Sequence, residues 1–386
     1  MVTSTATSSR PPLWRDVRVL RVTFQLAVLV AVVAFASYLY DNLLANDVEL
    51  DFGFLDQQAG IRLAYTDLHP SDTVLAAILT GLRSTITVAL LGIVLTLVLG
   101  TLIGIARLSG NWVVRRVAGT YVEVLRNLPP LLAIVFVNAA ALASLPPIQE
   151  ANTIGDVLVV SVSEFGVVTL ASDGNGWAYV AVLALAVLAA VALGTWRRRV
   201  EARTGAPARA WLWGGAVVGA AAVIGYVALS APVVLSRPRV EGLSVVGGAR
   251  MGLPFVAVLV GLVLYTSSHV AEIVRGSILA VPRGQTEAAA AIGLSPGQRL
   301  RHVVLPQAFR IATPPIINQC LNLTKNTSLG VAVAFAETMG VTNTIIGNGQ
   351  PAIPAILVAM GLYLVLSLSI SLVANVANHR LRLVER

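Results

Sequence analysis

Arg275-Gly-Ser-Ile-Leu-Ala-Val-Pro282-Arg283-Gly-Gln285-Thr-Glu287-Ala288-Ala289-Ala290-Ala291-Ile-Gly293-Leu294-Ser295-Pro296-Gly-Gln298-Arg299-Leu300-Arg301-His302-Val303-Val304-Leu305-Pro306 is the one long amphipathic stretch in a strongly apolar chain. Read locally, it is two short helices joined by a tight corner. The alanine run favours helix. Gly293 fits a left-handed residue just past the helix end, with Leu294 as its hydrophobic follower. Ser295 can cap the next helix, with Pro296 in its first position and Gln298 reaching back, a capping-box pattern. Leu300, Val303, Val304 and Gln307 repeat at helical spacing, and Pro306 falls where the chain is expected to turn back. Local physics leaves two readings open: a rigid peg of small side chains that transmits force, or an amphipathic pair lying at headgroup level.

The rest of the chain says which solvent surrounds this segment. Of 386 residues 56% are apolar and 12% charged, against about 25% charged in a typical soluble domain. That excludes a soluble globular enzyme or a disordered tail, and the single cysteine, Cys320, excludes a disulfide scaffold. A membrane helix needs about 20 mostly apolar residues, and eight segments qualify: roughly 21–40, 84–106, 127–145, 177–195, 210–231, 252–273, 314–336 and 353–377. The third opens on Asn127-Leu128-Pro129-Pro130, where a kink is expected. Ala34-Phe35-Ala36 mimics a signal-peptide cleavage site, but the apolar run continues through Tyr40, so a retained first helix is expected.

Threading eight spans from a cytoplasmic N-terminus puts 21 arginines inside and five outside, namely Arg62, Arg83, Arg237, Arg239 and Arg250. This obeys the positive-inside rule in every loop but 232–250, and it places both termini in the cytoplasm. The net charge of +8 therefore reflects topology, with no nucleic-acid partner implied. Residues 41–74 form an acid-rich outside loop, including Asp47, Glu49 and Asp67. Residues 146–176 form a second, with Glu150, Asp156, Glu164 and Asp173 and no base, and its Val/Ser/Gly-rich stretch 157–170 is a candidate hairpin.

Glu287-Ala288-Ala289, three residues, Gly293, nine residues, then Val303-x-Leu305-Pro306 resembles the EAA motif of bacterial ABC importer permeases, with Val303 where isoleucine is usual. Ala271-Glu272-Ile273-Val274-Arg275-Gly276, Asn322-Leu323-Thr324-Lys325-Asn326-Thr327-Ser328-Leu329 and Tyr121-Val122-Glu123-Val124-Leu125-Arg126-Asn127-Leu128-Pro129-Pro130 sharpen the likeness to the polar-amino-acid branch. The extra first span, the Phe52-Gly53-Phe54-Leu55 loop and a two-span insertion resemble its general L-amino-acid subtype. The likeness covers nearly the whole chain and is weakest at 146–250. It implies an all-α polytopic bacterial inner-membrane protein with the type I importer transmembrane fold. Its expected parts are a tail, first helix and outside loop (1–75), a first part of the permease core (76–145), a loop plus two-helix insertion (146–250), a second core part with the EAA loop (251–380) and a tail (381–386). It also implies that Glu287, Ala288, Ala289, Gly293, Leu305 and Pro306 couple to an ATP-binding cassette subunit, Ala288 and Ala289 lying on a small contact face. The chain itself would hold no metal or cofactor, since ATP and magnesium belong to the ATPase. A second permease subunit, identical or a paralogue, and an extracytoplasmic substrate-binding protein would complete the importer.

Polar residues within spans are costly and therefore informative. Tyr265, Ser268, His269 and Glu272 share one face of the sixth span, and Asn318, Asn322, Lys325 and Asn326 one face of the seventh. His269, Glu272, Asn322, Lys325 and Asn326 are candidates for a translocation path; interhelical hydrogen bonding, or a headgroup-level position for Glu272 and Lys325, reads the same residues structurally. A buried Lys325 needs a carboxylate partner, in Glu272 or in the substrate. Two rival functions follow: an ion-coupled carrier using Glu272 or Lys325, and a membrane-embedded enzyme. Gly293-Leu-Ser295-Pro-Gly297 matches the hydrolase elbow pattern, but a helix rather than a strand precedes it. A phosphate-binding loop needs Gly-Lys-Ser/Thr, and the only lysine, Lys325, is followed by Asn326.

Overall fold

The computed structural model describes residues 17–46, 50–66, 68–172, 176–205, 209–229 and 233–381. The N-terminal tail with Arg10 and Arg15, the loop acids Asp47, Glu49, Asp67 and Asp173, and the C-terminal residues 382–386 lie outside them.

Among the described residues twelve α-helices and eight short strands follow one another: α1 (Val17–Ala45), α2 (Val74–Ala106), α3 (Trp112–Arg126), α4 (Pro130–Ser144), β1 (Asn152–Ile154), β2 (Leu158–Val160), β3 (Glu164–Val167), β4 (Thr169–Ala171), α5 (Gly176–Thr204), α6 (Ala210–Ala228), β5 (Val234–Ser236), β6 (Arg239–Glu241), β7 (Ser244–Val246), β8 (Ala249–Gly252), α7 (Leu253–Leu279), α8 (Arg283–Ala291), α9 (Pro296–Arg299), α10 (Leu305–Asn326), α11 (Thr338–Gly347) and α12 (Ala352–Leu381). Six of the described helices are long and apolar enough to cross a membrane, and eight spans result if each of two bent helix pairs counts as one.

The hub is α7: 56% of its most apolar window is buried inside the chain, against 6% for α5, α6 and α12 and none for α1. Its closest partner is α2, and small residues make the approach possible. A Cβ on Gly100 would stand 2.7 Å from Val270, and one on Gly104 2.7 Å from the Ala271 carbonyl, contacts that real side chains do not make. Val88 and Ala89 of α2, Ile134 of α4, Val258 and Leu262 of α7, Leu323 of α10 and Phe335 close one core cluster. Because Leu323 near the end of α10 meets Val258 and Leu262 near the start of α7, these two helices run antiparallel.

Four differences from the sequence reading have local causes. First, the second span starts at Val74 rather than 84. Thr73 caps it by accepting from the Ala76 N–H at 3.2 Å. The 33-residue helix is about 50 Å long, longer than a hydrocarbon core of about 30 Å. Second, residues 112–126 are helix rather than loop. Asn111 caps α3 by accepting from Val113 N–H at 2.9 Å, and the chain turns by 108° into α4 across Pro129 and Pro130, the expected break. Third, the seventh span begins at Leu305. A π turn over Leu300–Val304, closed by Leu305 N–H donating to the Leu300 carbonyl, opens the helix ahead of Pro306. The chain therefore passes Pro306 in helix and turns earlier, at Gly293. Fourth, the span ends in a 3-10 segment, Thr327–Val333, breaks at Ala334 (φ +57°) and continues as α11, which the hydropathy reading does not contain.

The strands are an addition to an all-helical expectation. β2 and β3 form the hairpin expected within 157–170. β1 extends it on one side and β8, from the far end of the insertion, on the other, in the order β1-β2-β3-β8. β4 pairs β5 and β6 pairs β7. The ends of the insertion are thus stitched together through backbone hydrogen bonds that loops would leave unmet, while α5 and α6 pack chiefly on each other. The 50–73 segment folds over the same end of the bundle: Phe54, Ala59, Ile61 and Leu63 pack on Val74, Ile78, Val341 and Ile345.

Candidate functional site

At the opposite end of α7 the chain makes the corner anticipated from its cap residues. The Leu294 N–H donates to the Ala289 carbonyl at 3.1 Å and the Gly293 N–H to Ala290 at 2.9 Å, the two bonds of a Schellman cap. Gly293 sits at φ +82°, with open space where a Cβ would be. Ser295 and Gln298 complete the capping box: the Gln298 Oε1 accepts from the Ser295 N–H at 2.9 Å, and the Ser295 hydroxyl accepts from the Gln298 N–H at 3.4 Å. Val281, Val304 and Ala308 form a small core under the corner with Ile278. The corner is therefore seated on the ends of α7 and α10.

Its surface is uneven. Glu287, Ala288, Gly293, Leu305 and Pro306 are exposed, whereas Ala289 is only 5% exposed and faces inward. Adjacent helical residues point about 100° apart, so Ala288 and Ala289 do not share one outer face. The most exposed apolar side chain of the corner is one the motif reading passed over, Ile292, at 78%. Its signal was a large aliphatic residue immediately before the capping glycine.

Glu272 lies seven residues before the end of α7. Its carboxylate accepts from Arg275 at 2.5 Å and from Arg107 at the end of α2, and Arg126 at the end of α3 stands 3.8 Å away. One carboxylate thus ties three helices together, its lone pairs taken by guanidinium donors. Lys325 is not its partner. Because α10 runs antiparallel to α7, Lys325 lies about 30 Å along the bundle from the corner, while Glu272 lies only about 10 Å from it. Lys325 makes no ion pair among the described residues. It is exposed on α10 beside Asn322 and Asn318, also exposed, with Asn326 half-buried. His269 is separate again. Its ring meets Tyr265 edge-on with centroids 4.8 Å apart, and its buried Nε2 has no partner among the described groups. The five path candidates therefore split into a pin (Glu272), a half-buried imidazole (His269) and an open polar stripe (Asn322, Lys325, Asn326).

Sequence reasoning missed Glu337 altogether. It is 0% exposed. One carboxylate oxygen accepts from the Gly340 N–H at 2.7 Å, capping α11, and the other accepts from the Tyr363 hydroxyl of α12 and the Thr85 hydroxyl of α2, the latter at 3.4 Å. Thr85 in turn meets the Thr338 hydroxyl at 2.8 Å. The available signal was an acid, Glu337, followed three residues later by glycine, only one position beyond the expected span end.

Similarity to known proteins bears on what this arrangement is. A family model described as "Binding-protein-dependent transport system inner membrane component" matches residues 213–383. The chain is 33% identical over 371 residues to the putative amino-acid ABC transporter permease protein YhdX of Escherichia coli (strain K12), covering 94% of each chain. It is 34% identical to the general L-amino acid transport system permease protein AapQ of Rhizobium johnstonii, covering 94% of this chain and 92% of that one. It is 35% identical to the glutamate/glutamine/aspartate/asparagine transport system permease protein BztB of Rhodobacter capsulatus, covering 96% of each.

Proposed function

The chain belongs to the amino-acid ABC transporter permeases, and from that membership we propose that it moves amino acids inward by coupling the capped 281–306 corner to a separate ATP-binding subunit. It is a multi-pass permease subunit and not itself an enzyme; ATP hydrolysis belongs to another chain. The observation that carries the coupling role is the corner itself. It is rigid by its two caps, seated on α7 and α10, and it offers Ala288 and Ile292 to a partner's groove. A force applied there reaches the bundle through helices already tied together by Glu272.

The finer parts of the reading follow from the same layout. The corner end faces the cytoplasm, a reading the arginine distribution supports, and both termini share that side of the bacterial inner membrane. A second permease subunit covers the polar stripe Asn318, Asn322 and Lys325, which lipid alone would leave unsatisfied. An extracytoplasmic binding protein meets the opposite end, and the cargo is a polar or general L-amino acid. Glu272, held by Arg107 and Arg275, is not free to shuttle protons, which argues against the ion-coupled carrier. Uptake of labelled amino acids by vesicles holding the co-expressed ATPase and binding protein tests the reading. It should require ATP and both partners; uptake that persists without the ATPase would refute it.

A further inference from the structure

Helix α3 has three faces, and only one of them is packed. Ala118 and Val122 are buried, and the Tyr121 hydroxyl donates to the Leu264 carbonyl of α7 at 2.9 Å. At about 100° per residue, Arg115, Arg116, Gly119 and Glu123 share a second face. They line a cleft of about 320 Å³ with Trp112, Arg107 at the end of α2 and Arg275 of α7. The third face, beside the cleft, is apolar and exposed: Val113, Val117 and Val124. The cleft wall thus carries four arginines and one carboxylate. Arg107 and Arg275 are held by Glu272, which also has Arg126 beside it. Arg115 and Arg116 are exposed and make no ion pair among the described residues. Arg115 donates through one nitrogen to the Ser109 carbonyl at 2.9 Å, which steadies the guanidinium and leaves other donors of its fork open. Glu123 makes no ion pair among the described residues either. With Glu272 and Arg126 included, five guanidiniums stand against two carboxylates. Arg275 lies about 33 Å along α7 from Leu253, one hydrocarbon thickness of about 30 Å from the start of that span. The cleft therefore sits where headgroups begin.

We propose that this cleft holds the phosphate of an anionic phospholipid, Arg115 and Arg116 receiving its oxygens while an acyl chain lies along Val113, Val117 and Val124. Guanidinium forks match phosphate oxygens in geometry as well as charge. A basic face beside an apolar strip, with a tryptophan between water and hydrocarbon, is the pattern of a helix seated in the interface. The headgroup charge selects among lipids. A phosphate diester with an uncharged headgroup alcohol brings one negative charge to a positive wall. A choline or ethanolamine headgroup brings its own cation back to that wall, and Glu123 alone is open to receive it. Free phosphate uses the arginines and leaves the valine strip uncovered. An acidic segment of a partner protein has no call on a strip at hydrocarbon depth.

The test is retention of radiolabelled phosphatidylglycerol, phosphatidylethanolamine and phosphatidylcholine by the purified permease–ATPase complex at equilibrium in mixed micelles, with inorganic phosphate as competitor. Wild type should retain phosphatidylglycerol above the other two, and inorganic phosphate should not displace it. Arg115→Gln and Arg116→Gln should each lower that retention about fivefold with the melting temperature unchanged, and lysine at either position should restore part of the loss. Gly119→Phe keeps every charge but fills the cleft, since a Cβ there meets open space, and should lower retention as well. Arg198→Gln with Arg199→Gln, exposed on α5 and outside the cleft, should change nothing. Equal loss in that α5 variant would reduce the effect to general charge attraction and overturn the site. Equal retention of the three lipids, or indifference to Arg115→Gln, Arg116→Gln and Gly119→Phe, would overturn it too. Displacement by inorganic phosphate would make it a free-phosphate site, and loss of the ATPase from the arginine variants with lipid retention intact would make it a protein contact; either result refutes the lipid assignment.

Discussion

Glu337 and Lys325 show how little a residue's charge says about its role until its neighbours are known. Glu337 is buried with donors from three elements converging on it: Gly340, Tyr363 and Thr85. Removing the carboxylate strands those donors, so Glu337→Ala should cost about 1–3 kcal/mol or more, read as a lower melting temperature of the detergent-purified protein. Glu337→Gln keeps an acceptor for the Gly340 N–H and should be milder. Lys325 predicts the opposite pattern. It is exposed and makes no ion pair among the described residues, so Lys325→Ala should leave the melting temperature unchanged and lower uptake by the assembled transporter. A variant that melts early and transports normally would assign Lys325 to packing instead. The sequence pointed to Lys325 because it is the only lysine; for Glu337 it offered only the cap signal of Gly340 three residues on, because burial by Thr85 and Tyr363 comes from distant elements. The supposed pairing of Lys325 with Glu272 failed for a related reason: helical faces can be read from spacing, but the depth at which two faces meet depends on the direction and offset of the packed helices.

Elements with their own punctuation were legible in advance. Gly293, Ser295, Pro296 and Gln298 fix the corner through bonds that span at most five residues, and that is why the corner could be read down to single caps. Elements whose ends are set by distant packing were not. α3 is too charged for a hydropathy scan, α11 too short, and the β1-β2-β3-β8 sheet joins segments about 85 residues apart. The glycines of α2 lie between. Gly100-x-x-x-Gly104 is a readable small-residue stripe, yet only packing shows that it faces Val270 and Ala271. Gly100→Leu should therefore force α2 and α7 apart, costing about 1–3 kcal/mol or more, seen as early melting and reduced yield of the complex. In the corner the two alanines should separate. Ala288→Asp puts a charge on the outer face and should reduce co-purification of the ATPase while the permease melts normally. Ala289→Asp buries a charge and should lower the melting temperature itself.

The whole molecule is laid out along one axis. A cavity lined by Arg83 and Arg250 lies at one end, the capped corner about 40 Å away at the other end of α7, and α2 and α7 pack between them. The arginine distribution predicts which end of that axis faces the cytoplasm. In a Cys320-free background a cysteine at position 203 should resist a membrane-impermeant reagent added outside, while one at position 58, in the loop over the cavity end, should react; labelling at 203 from outside would reverse the assignment. The central claim is that work done by the ATPase enters through the corner. The most direct measurement compares substrate-stimulated ATPase and uptake in vesicles containing wild type, Gly293→Asn or Gly293→Val, with assembly checked by co-purification. Asparagine tolerates the left-handed conformation, whereas a β-branched residue at φ +82° is a steric outlier. Gly293→Asn should retain most uptake. Gly293→Val should insert normally and lose uptake together with its stimulation by substrate. Normal coupled uptake by Gly293→Val would contradict the coupling role of the corner.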